Sequence, residues 1–413
     1  MVCHPGKSLP APGFPDQTLR LVPIITRFRQ LLRSDLEAPE LERKFGRGWM
    51  SGVAALVLSV GSLFLVIGLL YPNLFTFEKT RAFYQTPQFH LALLLLLIAA
   101  FVLAITSLIL RQNKVLGFTA LFAVVLATTL GGANAHAQTT GESPFYLGMD
   151  WFVLNLIFTG VLFIPLQLFF PRYPAQELFR FEWREDLFYY FVSTMLVQLL
   201  TFASLWPALT LTAATHWDAL RAAISGQWLV LQIIEIMFLT DVVQYWVHRA
   251  FHRIPFLWNF HAVHHSAQVM DWMSGARMHF MEIVVLRAFT VIPMFILGYS
   301  QAALSFYIFY VYLHSTFVHA NFGWNFSTLG RYLVTPRFHH WHHGIDREAI
   351  DVNFAIHFPL LDRVFGTYHM PKGQWPTGYG IGGHPVPKGY WNQFWYPFRR
   401  RAVENSATDG QAS

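Results

Sequence analysis

The sequence predicts an all-α protein: a polytopic transmembrane helical bundle with a cytoplasm-facing, histidine-rich cap. Three observations carry this. The chain is 54% hydrophobic and only 13% charged, where soluble globular proteins carry about a quarter. The apolar residues gather in runs of about 20, the length a helix needs to cross a bilayer. Twelve of the nineteen histidines lie between His248 and His343, most at helical spacing.

Residues 1–48 read as a cytoplasmic basic N-terminal segment. They are polar and Arg-rich, with no apolar core followed by a small-residue cleavage site, so no signal peptide is expected. Spans follow at 49–71, 89–110 and 115–135, an accessory three-span region (49–135) almost free of ionisable side chains. The Gly/Ser/Thr-rich stretch between Gly132 and Pro144 is a loop. A second domain, 149–398, holds spans at 149–170, 186–212 and 227–247. Two shorter ones, 282–299 and 302–318, make a hairpin that only partly crosses, its turn eased by Pro293 and Gly298. Residues 399–413 are polar and read as a disordered tail.

Arginine and lysine set the orientation. Arg20, Arg27, Arg29, Arg33, Arg43, Lys44 and Arg47 place the N-terminus in the cytoplasm. Counting spans forward puts Arg172, Arg180, Arg184, Arg249 and Arg253 on the same side, and every histidine cluster with them. The net charge of +6 thus marks the inner membrane face and calls for no nucleic-acid partner. A single cysteine, Cys3, excludes a disulfide framework within the chain and any thiolate-rich zinc or iron–sulfur site.

The clusters are His248-Arg-Ala-Phe-His252, His261-Ala-Val-His264-His265 and His339-His340-Trp-His342-His343, with His319 alone. On a helix, residues three and four apart share a face. His248 and His252 can chelate one ion. His261, His264 and His265 can hold or bridge a second position, and His339, His342 and His343 repeat that pattern. Such a set exceeds the four ligands of a structural zinc and suits two metals with open positions. Imidazole accepts zinc, copper, iron or nickel, so ligand type does not choose among them.

The remaining histidines divide. His90, His136 and His216 read as hydrogen-bonded core residues. His279, His314 and His340 are each a possible ligand or a group that orients one. His357, His369 and His384 could line the site. Asp241 lies in a span seven residues before His248, where a carboxylate can accept the other ring N–H of a metal-bound imidazole.

Here the sequence resembles the fatty acid hydroxylase / sterol desaturase superfamily of membrane di-iron enzymes. Asp241-Val-Val-Gln-Tyr-Trp-Val-His-Arg-Ala-Phe-His252 is similar to its first box and His261-Ala-Val-His-His265 to its second. Thr335-Pro-Arg-Phe-His339-His-Trp-His-His343 is similar to its third. Asp351-Val-Asn and Leu361-Asp-Arg-Val-Phe-Gly-Thr-Tyr368 resemble its closing signature. Lipid-ether monooxygenases of the superfamily look similar in the Thr-Pro…His-His and Phe-Gly-Thr blocks. The resemblance implies two irons, dioxygen as co-substrate and a lipid substrate such as a sterol or fatty acyl chain. It implies that His248, His252, His261, His264, His265, His319, His339, His342 and His343 are ligands. His340 stands where the family often has arginine. The first three spans match no part of the family core.

The reading is therefore an oxidoreductase that hydroxylates or desaturates a lipid C–H bond. No G-x-G-x-x-G lies between a strand and a helix, so electrons must come from a separate reductase or small redox carrier. Two rivals stand beside it. A metal transporter would place its histidines near the bilayer midplane, often within inverted repeats. A zinc hydrolase would need about three protein ligands and an open water, and this chain offers a surplus.

Overall fold

The computed structural model describes residues 18–76, 78–136, 147–324, 326, 328–383 and 385–399. Among them every regular element is helical; an isolated antiparallel bridge joins Gly344 and Tyr379. The segment before residue 18, the tail after Arg399 and His384 lie outside the described residues. Two units are present. One comprises residues up to Leu70 together with Phe83–His136; the other comprises Tyr71–Ala82 and the remainder of the chain.

The first unit contains α1 (Thr18–Leu36), α2 (Trp49–Leu70), α3 (Pro87–Leu110) and α4 (Val115–Thr129). Small residues let α2, α3 and α4 approach closely, as apolar helices must when lipid offers no hydrophobic drive: Ala55, Ala104 and Ala120 meet in its core. Asp35 on α1 is fully buried against Arg111 and accepts from the Leu116 amide at 3.2 Å. This ion pair makes the basic N-terminal stretch part of the packed unit. His90 bonds to the Ala133 carbonyl, whereas His136 is exposed rather than in the core.

The second unit contains α5 (Met149–Phe169), α6 (Trp183–Met195), α7 (Val197–Ala214), α8 (Asp218–Ser225), α9 (Leu229–Arg253), α10 (Pro255–His265), α11 (Phe280–Leu297), α12 (Gln301–His319), α13 (Pro336–His342), α14 (Leu360–Val364) and α15 (Tyr390–Arg399). His216, expected in the core, is exposed. Six helices among the described residues are long and apolar enough to cross a membrane: α2, α3, Val115–Asn134, α5, α9 and α11. There are seven if the bent pair Trp183–Met195 and Leu199–Ala214 counts as one. This is a multi-pass integral membrane protein.

The expected single span 186–212 is broken, with a bend of 53°. The cause is polar. Asp186 on α6 is fully buried between Arg180 and Arg277, the latter at 2.5 Å, and Glu182 meets Arg277 at 2.7 Å. These pairs tie α6 to the loop before α11, leaving α7 to continue the apolar run. Helix α12 falls short of the apolarity of a span because Tyr307, Tyr310, Tyr312 and His314 interrupt it. The α11–α12 turn closes at Gly298, whose φ of 73° is open to glycine without strain. Beneath the histidines, Tyr245, Val318, Val334, Phe338, Phe354, Ala355 and Leu361 form one apolar cluster. It joins α9, α12, α13 and the loop that precedes α14.

Candidate metal centre

Four helices bring the histidines together. The last two turns of α9 carry His248 and His252. Pro255 opens α10 directly after it, at the position where a missing N–H costs nothing, and α10 carries His261, His264 and His265. His319 is the last residue of α12. Thr335-Pro336 starts α13, which carries His339, His340 and His342 and is capped by His343.

The nine imidazoles expected as ligands form two groups, within each of which one ring nitrogen per residue lies within 4.8 Å of the others. One group is His248, His252, His261, His265 and His342. The other is His264, His319, His339 and His343. The second and third clusters each bridge the two groups. Residues four apart are rotated by about 40° on a helix and stay together, while three apart are rotated about 60° the other way. So His261 and His265 share a group and His264 crosses to the other. His339 and His343 likewise stay together and His342 crosses.

Six Nδ1 atoms are tethered outward. His248 bonds to the Phe354 carbonyl at 3.0 Å, His264 to that of Arg277 at 2.9 Å, His319 to that of Ser315 at 2.6 Å and His342 to that of Val352 at 2.8 Å. His252 meets the Asp351 carboxylate at 3.3 Å and His261 the Glu282 carboxylate at 2.5 Å. A carbonyl only accepts, as does an ionised carboxylate, so with Glu282 and Asp351 ionised each of these rings carries its proton on Nδ1 and presents a lone pair at Nε2. Yet Nε2 of His248 lies 3.0 Å from Nε2 of His261, and Nε2 of His264 lies 3.3 Å from Nε2 of His319. Each contact sets acceptor against acceptor, an arrangement that repels unless a cation lies between. Burial, reinforced by neighbouring imidazoles, holds His261, His264, His265, His339, His342 and His343 well below the ordinary imidazole value. They are therefore neutral near pH 7, the form that binds metal.

The other predicted residues fall elsewhere. Asp241 does not touch His248. Its carboxylate accepts the backbone N–H groups of Ile356, His357 and Phe358 at 2.7, 3.1 and 2.7 Å. It acts on His248 at one remove, by fixing the loop whose Phe354 carbonyl holds that ring. His279 belongs to neither group: its Nδ1 accepts the Met281 amide at the start of α11, and its Nε2 donates to the Phe394 carbonyl at 3.0 Å. His314 donates to the Val334 carbonyl at 3.1 Å. His340 points away from both groups to the Tyr379 hydroxyl at 2.8 Å, and burial pushes its pKa down to about 3. His357 meets the Tyr307 hydroxyl at 3.2 Å, and His369 packs edge-on against Trp341.

Sequence reasoning gave no role to Glu282 or Gly275, and quoted Asp351 within the closing signature without its contact to His252. Glu282 is fully buried on the first turn of α11, within an Arg-Met-His-Phe-Met-Glu stretch whose histidine drew attention instead. A Cβ on Gly275 would come within 2.8 Å of His319 Nδ1, so this position must be glycine for His319 to sit where it does. Replacing Glu282 with glutamine is expected to lower metal retention by about 10–100-fold, the usual cost of losing a ligand's orienting partner. Metal content after graded chelator challenge reads this out, and retention equal to the wild type would remove Glu282 from the centre.

Residues 233–367 match the family model described as fatty acid hydroxylase. An ornithine lipid hydroxylase of Rhizobium tropici is 28% identical over 176 residues, 42% of this chain and 53% of that protein. The alkylglycerol monooxygenase of Caenorhabditis elegans is 27% identical over 169 residues, 40% and 32% respectively. That of Homo sapiens is 28% identical over 147 residues, 35% and 32%. The chain thus spans about half the length of the first relative and about a third of the other two. No solved structure matches it. The matched segment contains all nine grouped histidines together with Asp241, Glu282 and the Asp351–Phe358 loop, and it is over this segment that the chain is similar to the fatty acid hydroxylase family.

Proposed function

We propose that the protein is a dioxygen-dependent lipid hydroxylase whose nine imidazoles hold a pair of irons at the cytoplasmic membrane face. The observation that carries this is the pair of acceptor-to-acceptor contacts, His248–His261 and His264–His319, one in each group. A buried, neutral, donor-only shell of five and four nitrogens fits two separate cations. Bound there, two irons would supply activation of dioxygen for attack on an unreactive C–H bond. One oxygen atom enters the C–H bond and the other leaves as water, with two electrons and two protons supplied from outside. The chain's own residues hold the ligand geometry. Carbonyls of Arg277, Ser315, Val352 and Phe354 and carboxylates of Glu282 and Asp351 fix the ring orientations. The apolar cluster around Tyr245 and Phe338 keeps bulk water away.

Hydroxylation is favoured over desaturation because the relatives carry the names hydroxylase and monooxygenase. Their lipid names, together with the apolar spans, support a lipid substrate. A zinc hydrolase leaves this donor surplus unexplained. A transporter path is not suggested by a closed shell at helix ends. Arg249, Arg253 and the basic residues of 20–48 support a cytoplasmic position for the N-terminus and the histidines. A separate redox carrier completes the system.

Detergent-purified protein is expected to contain about two irons per chain, as two separate nitrogen-donor sites require. With a reductant and ¹⁸O₂, it should place one labelled oxygen in a lipid of a membrane extract. One zinc per chain, or labelled water without labelled lipid, would overturn the reading.

A further inference from the structure

The two groups differ in what surrounds them. The ring contacts of His264, His319, His339 and His343 are all to other imidazoles. The five-imidazole group has aromatic neighbours on several sides. Phe354 contacts His248, His252 and His342, and Phe251 contacts His261; both are almost wholly buried. Trp258 is different. Its indole lies 5.1 Å from His252, 5.5 Å from His265 and 6.1 Å from His261, between ring centroids. It is only half-buried, and its neighbours Arg253, Ile254 and Phe256 are exposed. The placement follows from helix geometry: Trp258, His261 and His265 are spaced i, i+3, i+7 along one stripe of α10. Among the described residues, Trp258 is therefore the aromatic ring that both touches imidazoles of the centre and reaches the protein surface.

We infer that Trp258 is the relay through which an external one-electron carrier protein reduces the metal on the five-imidazole side. This rests on the reading that both groups hold iron. The reaction needs two electrons from outside, and outer-sphere transfer weakens steeply with the gap between π systems. Indole carries the largest π system of any side chain, and here it bridges the surface and three imidazoles with no intervening residue, its own redox state unchanged in the transfer. One electron leaves the reduced carrier and converts one ferric iron to ferrous. No bond forms or breaks at Trp258, and two such transfers reduce the pair.

The test uses iron-loaded full-length protein in detergent under argon, with reduced two-iron ferredoxin as the probe. Ferredoxin reoxidation is followed by stopped flow, and iron oxidation state by Mössbauer spectroscopy. Trp258→Leu should keep the wild-type iron content and final extent of reduction but slow the transfer by an order of magnitude or more. Trp258→Phe should fall between the two. Trp246→Phe, at an exposed tryptophan that packs on Phe365 and no imidazole of the centre, should match the wild type. Wild-type rates in both Trp258 variants would overturn the relay. So would loss of iron from Trp258→Phe, which would make the indole a packing element, or equal slowing in Trp246→Phe. Absence of iron from the wild type would instead sink the parent reading.

Discussion

Replacing His339 with alanine is expected to leave about one metal per chain, while replacing His342, three residues away, leaves nearly two. The two residues share a helix and a motif, but they serve different groups. Loss of His339 reduces four nitrogens to three and opens a site whose remaining members are held by fewer outward tethers: of that group, only His264 and His319 have Nδ1 bonded to a described carbonyl. Loss of His342 reduces five nitrogens to four, still a complete tetrahedral set. The same contrast should separate His264→Ala from His265→Ala, which are adjacent in sequence. Metal analysis of the four purified variants, with Mössbauer spectra to identify the surviving site, provides the check. If stoichiometry followed the sequence cluster instead of the spatial group, the division into five and four would be wrong.

Asp241→Ala should be the most damaging single change outside the imidazoles. Three backbone N–H groups converge on this carboxylate, and each buried amide left without an acceptor costs about 1–3 kcal/mol. The total is a large fraction of the stability of an ordinary domain, about 5–15 kcal/mol. The loop so released also supplies the Phe354 and Val352 carbonyls that orient His248 and His342. Metal should therefore be lost from the five-imidazole group before the other. Asp241→Asn keeps one acceptor oxygen, which can still serve Ile356 and His357, but turns an amide N–H toward Phe358. Its effect should be intermediate. Thermal unfolding in detergent, run alongside metal content, separates the outcomes. An alanine variant with wild-type stability and two metals would show that the loop holds itself.

Helix spacing made much of this molecule legible. Apolar runs located the crossing helices, and i, i+4 pairs marked the histidines that would sit together. The sequence clusters left open which residues bridge; the rotation per residue decides it, sending His264 and His342 across to the opposite set. The tethers were less visible for a deeper reason. Carbonyls of Arg277, Ser315, Val352 and Phe354 belong to the backbone, and no residue type announces them. Asp241 was singled out correctly as a costly carboxylate in a membrane helix, but its partners lie more than a hundred positions downstream in a loop without periodicity. The break in the expected span 186–212 was hidden in the same way. The first half of that run is tied by Arg277 reaching back to Asp186 and Glu182, a contact nearly a hundred positions apart.

The facing lone pairs of His248 and His261, and of His264 and His319, also bear on how such a protein matures. If the proposed metals bind there, metal and fold would be coupled, because binding would relieve that repulsion. The newly inserted chain would carry its spans in the bilayer while the cap stayed loose and open to proteases. Metal starvation would then act on the abundance of the protein as well as on its turnover number. Metal supply would then set how many copies survive assembly.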